Sequence, residues 1–303
     1  MMIEKIKDDI FGNLLKIENE NFELRVSLDY GPRILHFSKK GFENIFYNDK
    51  DLNPLADMFD VYDGEILKLR GGHRLWASPE FTPGCYYPDN FPVTFEHNDN
   101  KFMFISPVEK FTNLQKIIKI EVKDNKVKLK HSIYNKGAFS TKIAPWAITM
   151  LSGGGVEIFP QSKKKTGYLH NRNFSFWDYA DMTDERFYLG KEFVSLKQDV
   201  ESKCAFKLGC NNEDGWAMYF NKNQVFIKKF KFDDDETYPD GGCNFETYTN
   251  DSMLEIETLG GLRNLEPNEK VSLKETWEIY EETETPILRN EEDYNRLTSK
   301  YLD

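Results

Sequence analysis

The sequence predicts an all-β protein, a large antiparallel sandwich carrying one short C-terminal helix. Three observations predict it. Apolar residues recur with period two in many short runs, turn signals separate those runs, and helical periodicity is confined to the tail. Composition agrees, since 24 Phe, 15 Tyr and 5 Trp accompany a modest aliphatic content. That mixture suits sheets with one solvated face better than a bundle of apolar helices.

The elements follow in order. Phe22–Leu28 and Arg33–Phe37 flank the turn Asp29-Tyr30-Gly31-Pro32, and Phe102–Val108 and Gln115–Val122 read as the next strands. After Asp124-Asn125 comes Lys126–Ile133 (KVKLKHSI), in which Val127, Leu129, His131 and Ile133 share one face and the lysines and Ser132 the other. Asn135-Lys136-Gly137 ends that run. Trp216–Phe220 and Gln224–Phe232 flank Asn221-Lys222-Asn223, and Met253–Leu259 follows. Beyond the turn Pro267-Asn268, Val271–Tyr280 gathers Val271, Leu273, Trp277 and Ile279 on one side. Asn290 is placed to cap a helix over about 290–301, with Tyr294, Leu297 and Tyr301 on one stripe. Gln161–Tyr188, irregular and rich in aromatics and Asn, reads as a long functional loop. No repeat, low-complexity tract or linker divides the chain, so residues 1–303 read as one domain.

The net charge of −11, spread along the chain, repels phosphate backbones and anionic lipid, so nucleic acid and membrane surfaces are not expected partners. No apolar run has signal-peptide or membrane-spanning length. Cys85, Cys204, Cys210 and Cys243 show no zinc spacing, which fits free thiols in a reducing cytoplasm. No metal or cofactor is expected. The acidic run Asp233–Glu236 lacks EF-hand spacing, and Gly153–Gly155 lack the helix and Lys-Ser/Thr of a phosphate loop.

Chemistry concentrates in Gly71–Glu80 (GGHRLWASPE), where His73, Arg74, Trp76 and Glu80 combine an imidazole, a cation, an aromatic face and a carboxylate. Cys85–Asn90 (CYYPDN) adds Tyr87, Asp89 and Asn90. Aromatic rings beside hydrogen-bonding groups suit a sugar, which shows an apolar C–H face and a polar rim. A glycine-flanked His73 reads as a general acid at a cleft floor, with a reference pKa of about 6.5. The alternative is a histidine held by a backbone carbonyl, in a tight turn with Arg74 in a buried ion pair. Along Met253–Leu259, Glu255 and Glu257 point to one face and Leu254 and Ile256 to the other. That face is either an exposed edge or the wall of a cleft to which the nearby Glu246 also belongs. His36 and His131 lie in apolar strands and read as packed histidines, and Lys163–Lys165 as a solvated loop.

Taken together, GPRILHF and GFENIFY, GGHRLWASPE and YYPDN, NKG…APWAITMLSGGG, and GGCNFETYTND…LEIETLGGL…LEPNEKVSLKETW resemble the galactose mutarotase-like superfamily, over roughly residues 20–280. Within it the chain looks most like an uncharacterised domain family carrying GGHRLWxxPE. The resemblance implies a β-supersandwich with a carbohydrate-sized cleft. In the aldose 1-epimerase relatives a histidine is the acid toward the ring oxygen, and a late glutamate is the base toward the anomeric hydroxyl. The late glutamate maps to Glu257, with Glu255 next, and His73 and Arg74 match the early sugar-contacting region. The relatives' acid histidine falls where this chain has Ala144-Pro145-Trp146-Ala147, and Trp146 stacks on sugars but donates no ring-oxygen proton. Either His73 takes the acid role, or the protein binds a sugar or sugar phosphate without epimerising it. A sandwich related to polysaccharide lyases or hydrolases is a third reading, by fold analogy alone.

Overall fold

Alternating runs form 21 strands among the described residues, which are 1–55 and 62–302 of the computed structural model. Strands are numbered along the chain. The first sheet runs β1 (Met2–Asp8), β2 (Gly12–Glu18), β3 (Phe22–Ser27), β4 (Arg33–Lys39), β5 (His73–Ser78), β10 (Thr141–Ser152), β19 (Met253–Leu259), β18 (Phe245–Thr249), β15 (Phe206–Cys210) and β12 (Phe174–Phe176), with β20 (Arg263–Leu265) beside β10. The second runs β13 (Phe187–Leu189), β14 (Phe193–Lys197), β11 (Val156–Pro160), β16 (Trp216–Asn221), β17 (Gln224–Phe230), β21 (Lys270–Glu281), β9 (Lys126–Asn135), β8 (Leu114–Lys123), β7 (Lys101–Ile105) and β6 (Thr94–Asn98). All strand pairs are antiparallel.

The inward faces interdigitate. Phe37 of β4 meets Phe226 of β17 at 5.9 Å between ring centroids, and Phe46 meets Trp277 of β21 at 5.6 Å. Such edge-on aromatic pairs add about 0.5–1.5 kcal/mol to their area burial. Val127, Leu129, His131 and Ile133 of β9 face this core, as their alternation predicts.

Alternation fails where both faces are covered. β10 and β19 are buried almost end to end, so their sequences lack a polar side and β10 escapes recognition, the more so with Pro145 inside it. β7 stops at Ile105, short of the expected Val108, because Pro107 has no N–H for a ladder.

The tail forms α1 (Glu291–Thr298), and the Asn290 side chain accepts a hydrogen bond from Asp293 N at 3.1 Å. Tyr294 and Leu297 pack on Val156, Ile158, Phe193 and Trp216, covering the outer face of the second sheet. Among the described residues no helix is long and apolar enough to cross a membrane, and all four cysteines are free.

Candidate functional site

The strands β5, β10, β19, β18 and β15 lie side by side, and their registers line up residues in rows. On the outer face one row reads Arg74, Ile148, Glu257, Glu246, Gly209. A second reads Met150, Glu255, Tyr248, Lys207, and a third Trp76, Trp146, Leu259. The same alternation turns His73, Thr149, Ile256 and Thr247 inward.

The outer rows carry charge under aromatic cover. Lys207 Nζ stands 2.9 Å from Glu246 Oε2 and 3.1 Å from Glu257 Oε2. Trp146 Nε1 donates to the same Glu257 oxygen at 2.6 Å. The Lys207 ammonium lies over the rings of Trp146 and Trp177, 4.8 and 4.5 Å from their centroids. Arg74 Nη2 donates to Glu255 Oε1 at 3.3 Å, and its guanidinium lies over Trp76 at 4.5 Å. The Oε1 atoms of Glu246 and Glu257 are buried with no partner among the described residues. Burial pulls the Lys207 ammonium down, but Glu257 and Glu246 outweigh it and raise it. Burial raises Glu255 to about 7 against the pull of Arg74, and it raises Glu246 well above the usual carboxylate range.

A cavity of about 380 Å³ opens over this face, lined by Glu80, Phe81, Thr82, Trp146, Trp177, Asp240 and Glu246. That volume is of monosaccharide scale. Trp177 comes from the Gln161–Tyr188 segment, where a functional loop is expected. Glu257 is 0% exposed, standing behind Trp146 and Lys207.

His73 requires correction. It is 0% exposed and faces between the sheets, with Nδ1 2.9 Å from Thr149 Oγ1 and Nε2 2.8 Å from His131 Nε2. Burial, then His131 and Lys228, hold its pKa well below the ordinary value. It therefore does not reach the cavity, and burial favours its neutral form. Gly71 and Gly72 explain the neighbourhood. Both have positive φ, and a Cβ on either would lie 2.2 Å from the carbonyl oxygen of Tyr47 or of Ile34. The glycines admit close backbone crossing, not a mobile catalytic loop.

Tyr87, Asp89 and Asn90 also leave the expected site. Asp89 is clamped by Arg33 at 2.8 Å and Arg70 at 3.0 Å, and Asn90 accepts from Arg70 and donates to Glu65, both at 2.7 Å. Tyr87 packs edge-on against Tyr62. Tyr87 and Asp89 border a separate cavity of about 140 Å³, shared with Arg74 and Trp76. Glu80 does line the larger cavity, where the Tyr86 hydroxyl donates to it. Sequence reasoning missed Lys207, Trp177 and Asp240. Lys207 was detectable as a lone cation in the apolar run AFKLGC.

His73, His131 and Glu275 place potential ligand atoms within 4.8 Å of one another. Glu275 is already engaged: Thr258 donates to Oε1, Lys228 Nζ lies 3.1 Å from Oε1, and Trp277 Nε1 donates to Oε2 at 2.9 Å. The Lys228 ammonium fills the cation's place, and the cluster reads as a polar lock between the sheets.

No family profile matches the chain, and no curated protein matches it in sequence. Solved structures do match. A galactose mutarotase-like protein from Lactobacillus casei superposes with a TM-score of 0.57 at 11% identity, over 88% of this chain and 100% of its own. A candidate aldose 1-epimerase from Escherichia coli K12 gives 0.56 at 11%, over 88% and 99%. A galactose mutarotase-like protein from Clostridium acetobutylicum gives 0.55 at 11%, over 92% and 98%. Likeness at this identity speaks to architecture, and the architecture is the galactose mutarotase-like β-sandwich.

Proposed function

We propose that the protein is an aldose 1-epimerase-like isomerase that interconverts the anomers of a monosaccharide held in the 380 Å³ cavity. One observation carries the reading. Two glutamates in direct register, Glu246 and Glu257, flank Lys207, and Glu246 lines a cavity walled by Trp146 and Trp177. Ring opening needs one proton delivered to the ring oxygen and one removed from the anomeric hydroxyl, which is general acid–base work suited to neighbouring carboxyl groups. Trp146 and Trp177 supply stacking faces, and Glu80 and Asp240 accept sugar hydroxyls at the rim. Glu257 is the base, as the sequence resemblance implies, acting through its unpartnered Oε1. Arg74 holds Glu255 in place and helps set the charge of the floor.

The test is magnetisation-exchange NMR on anomeric protons across a panel of aldoses and aldose phosphates. Faster α/β exchange for one sugar, lost in Glu257→Gln, is the expected result. Unchanged exchange in Glu257→Gln would remove the base. The second reading, a sugar binder without turnover, is favoured by Trp146 standing where epimerase relatives carry their acid histidine. Saturation transfer to a sugar whose anomers exchange no faster would establish it.

A further inference from the structure

The isomerase reading lacks an acid once His73 is turned inward, and the charges on the outer face point to one. Three carboxyl groups, Glu246, Glu255 and Glu257, share that face with two cations, Arg74 and Lys207. Arg74 is engaged with Glu255, and Lys207 must serve both Glu246 and Glu257. One carboxyl group is left without a cation of its own. A buried carboxylate in that position relieves its cost by taking a proton. Glu257 has a second donor, Trp146 Nε1, on the oxygen that Lys207 contacts. Glu246 has no such donor, is 1% exposed and lines the cavity.

We infer that Glu246 carries the odd proton and is the general acid of the site, paired with Glu257 as base across one register position. This rests on the isomerase reading above. The ring oxygen and the anomeric oxygen of a pyranose share one carbon, so an acid and a base serving them belong side by side. Direct partners on β18 and β19 are so placed. Gly209, opposite Glu246 on the other flank, leaves room for its side chain.

The groups facing Glu246 are Lys207 on β15, Glu257 on β19, and Asp240 and Cys243 in the loop before β18, with Glu80 lining the same cavity. Burial raises the Glu246 carboxyl, Lys207 opposes, and Glu257 and Asp240 push it further up.

The step balances within the pair. Glu246 gives its proton to the ring oxygen as the C1–O5 bond breaks, and the electron pair of that bond stays on O5. The anomeric O–H gives its proton to Glu257, and C1–O1 becomes a carbonyl. Rotation about C1–C2 presents the other carbonyl face. The new O5 hydroxyl then attacks C1, returns its proton to Glu246, and O1 takes the proton back from Glu257. Both residues end as they began.

The test compares the wild-type chain with Glu246→Gln, which matches the protonated acid in shape and so keeps the fold, a point checked by thermal melting. The infrared difference spectrum at neutral pH, wild type minus Glu246→Gln, should show one protonated-carboxyl stretch. On the most responsive aldose, kcat should fall by about 10²–10⁴-fold with KM nearly unchanged. The wild-type rate should decline as pH rises through the Glu246 titration, and that limb should vanish in the variant. Glu246→Asp, an acid one methylene further back, should recover part of the rate. A Glu246→Gln enzyme with undiminished kcat and the same alkaline limb overturns the inference, as does a difference spectrum with no protonated-carboxyl band. Both leave the wild type active, whereas a wild type inactive on every aldose overturns the isomerase reading itself.

Discussion

The inner and outer faces of β5, β10 and β19 both bury polar groups, yet they use them differently. Inside, Glu275 has both oxygens occupied by Thr258, Lys228 and Trp277, and Lys228 also donates to the carbonyls of Ala147 and Ile256. Outside, Glu246 and Glu257 each keep an oxygen with nothing on it, and Glu246 lines a cavity. A buried carboxylate with both oxygens engaged from neighbouring strands helps to fix the packing of two sheets. Hydrogen-bonding capacity left unspent next to open space is what a ligand can complete. Burial of a histidine or glutamate, taken alone, distinguishes neither.

Breaking the inner cluster should cost most. Lys228→Met strands Glu275 as a buried charge, and urea unfolding should show a loss of about 3–5 kcal/mol. Lys207→Met on the outer face should cost less stability, because its carboxylates lie beside the cavity, while sugar binding is lost. Equal losses from the two would erase the contrast.

Acid should find the inner face next. Burial lowers His131 to about 4, so the native state resists a proton that the unfolded chain accepts near 6.5. Stability from this group is therefore complete above about pH 6.5 and lost as pH falls toward 4, by roughly 3 kcal/mol in all. His131→Gln should flatten that part of a stability–pH curve.

The outer face should discriminate against anions. Glu80 and Asp240 line the cavity, so an aldose phosphate should bind roughly tenfold more weakly than its parent sugar, with the gap closing as salt rises. Tighter binding of the phosphate in titration calorimetry would contradict this assignment of charge. Smallest should be Glu157→Gln. Glu157 is buried between the sheets beside Thr247, and burial raises its carboxyl well above the usual range. Its contribution is present below the ordinary carboxyl pKa and lost as pH rises through the folded value. The glutamine variant should thus match the wild type in acid and exceed it by about 1 kcal/mol in alkali.

What the sequence disclosed follows the same division. Strands with one wet face, such as Lys126–Ile133 and Val271–Tyr280, display their period and are read from it. β10, covered on both faces, carries no such signal. Parity grouped Glu255 with Glu257 correctly, and it would have separated His73 from Arg74 had the glycines not suggested a loop. Tyr87, Asp89 and Asn90 lie in a loop, where no periodicity says which way a side chain turns. Their partners Arg33 and Arg70 lie 56 and 19 residues from Asp89 and meet it only through the fold.

The crossing at Gly71 and Gly72 leaves β5 no slack, and its six residues alternate between the core and the outer face of the first sheet. Such a strand accepts changes of letter far more readily than changes of length. Inserting one residue after Gly72 would swing a guanidinium into the apolar interior and an imidazole onto the outer face. Libraries that vary the outer face should therefore substitute along β5 and place insertions in the 161–173 loop.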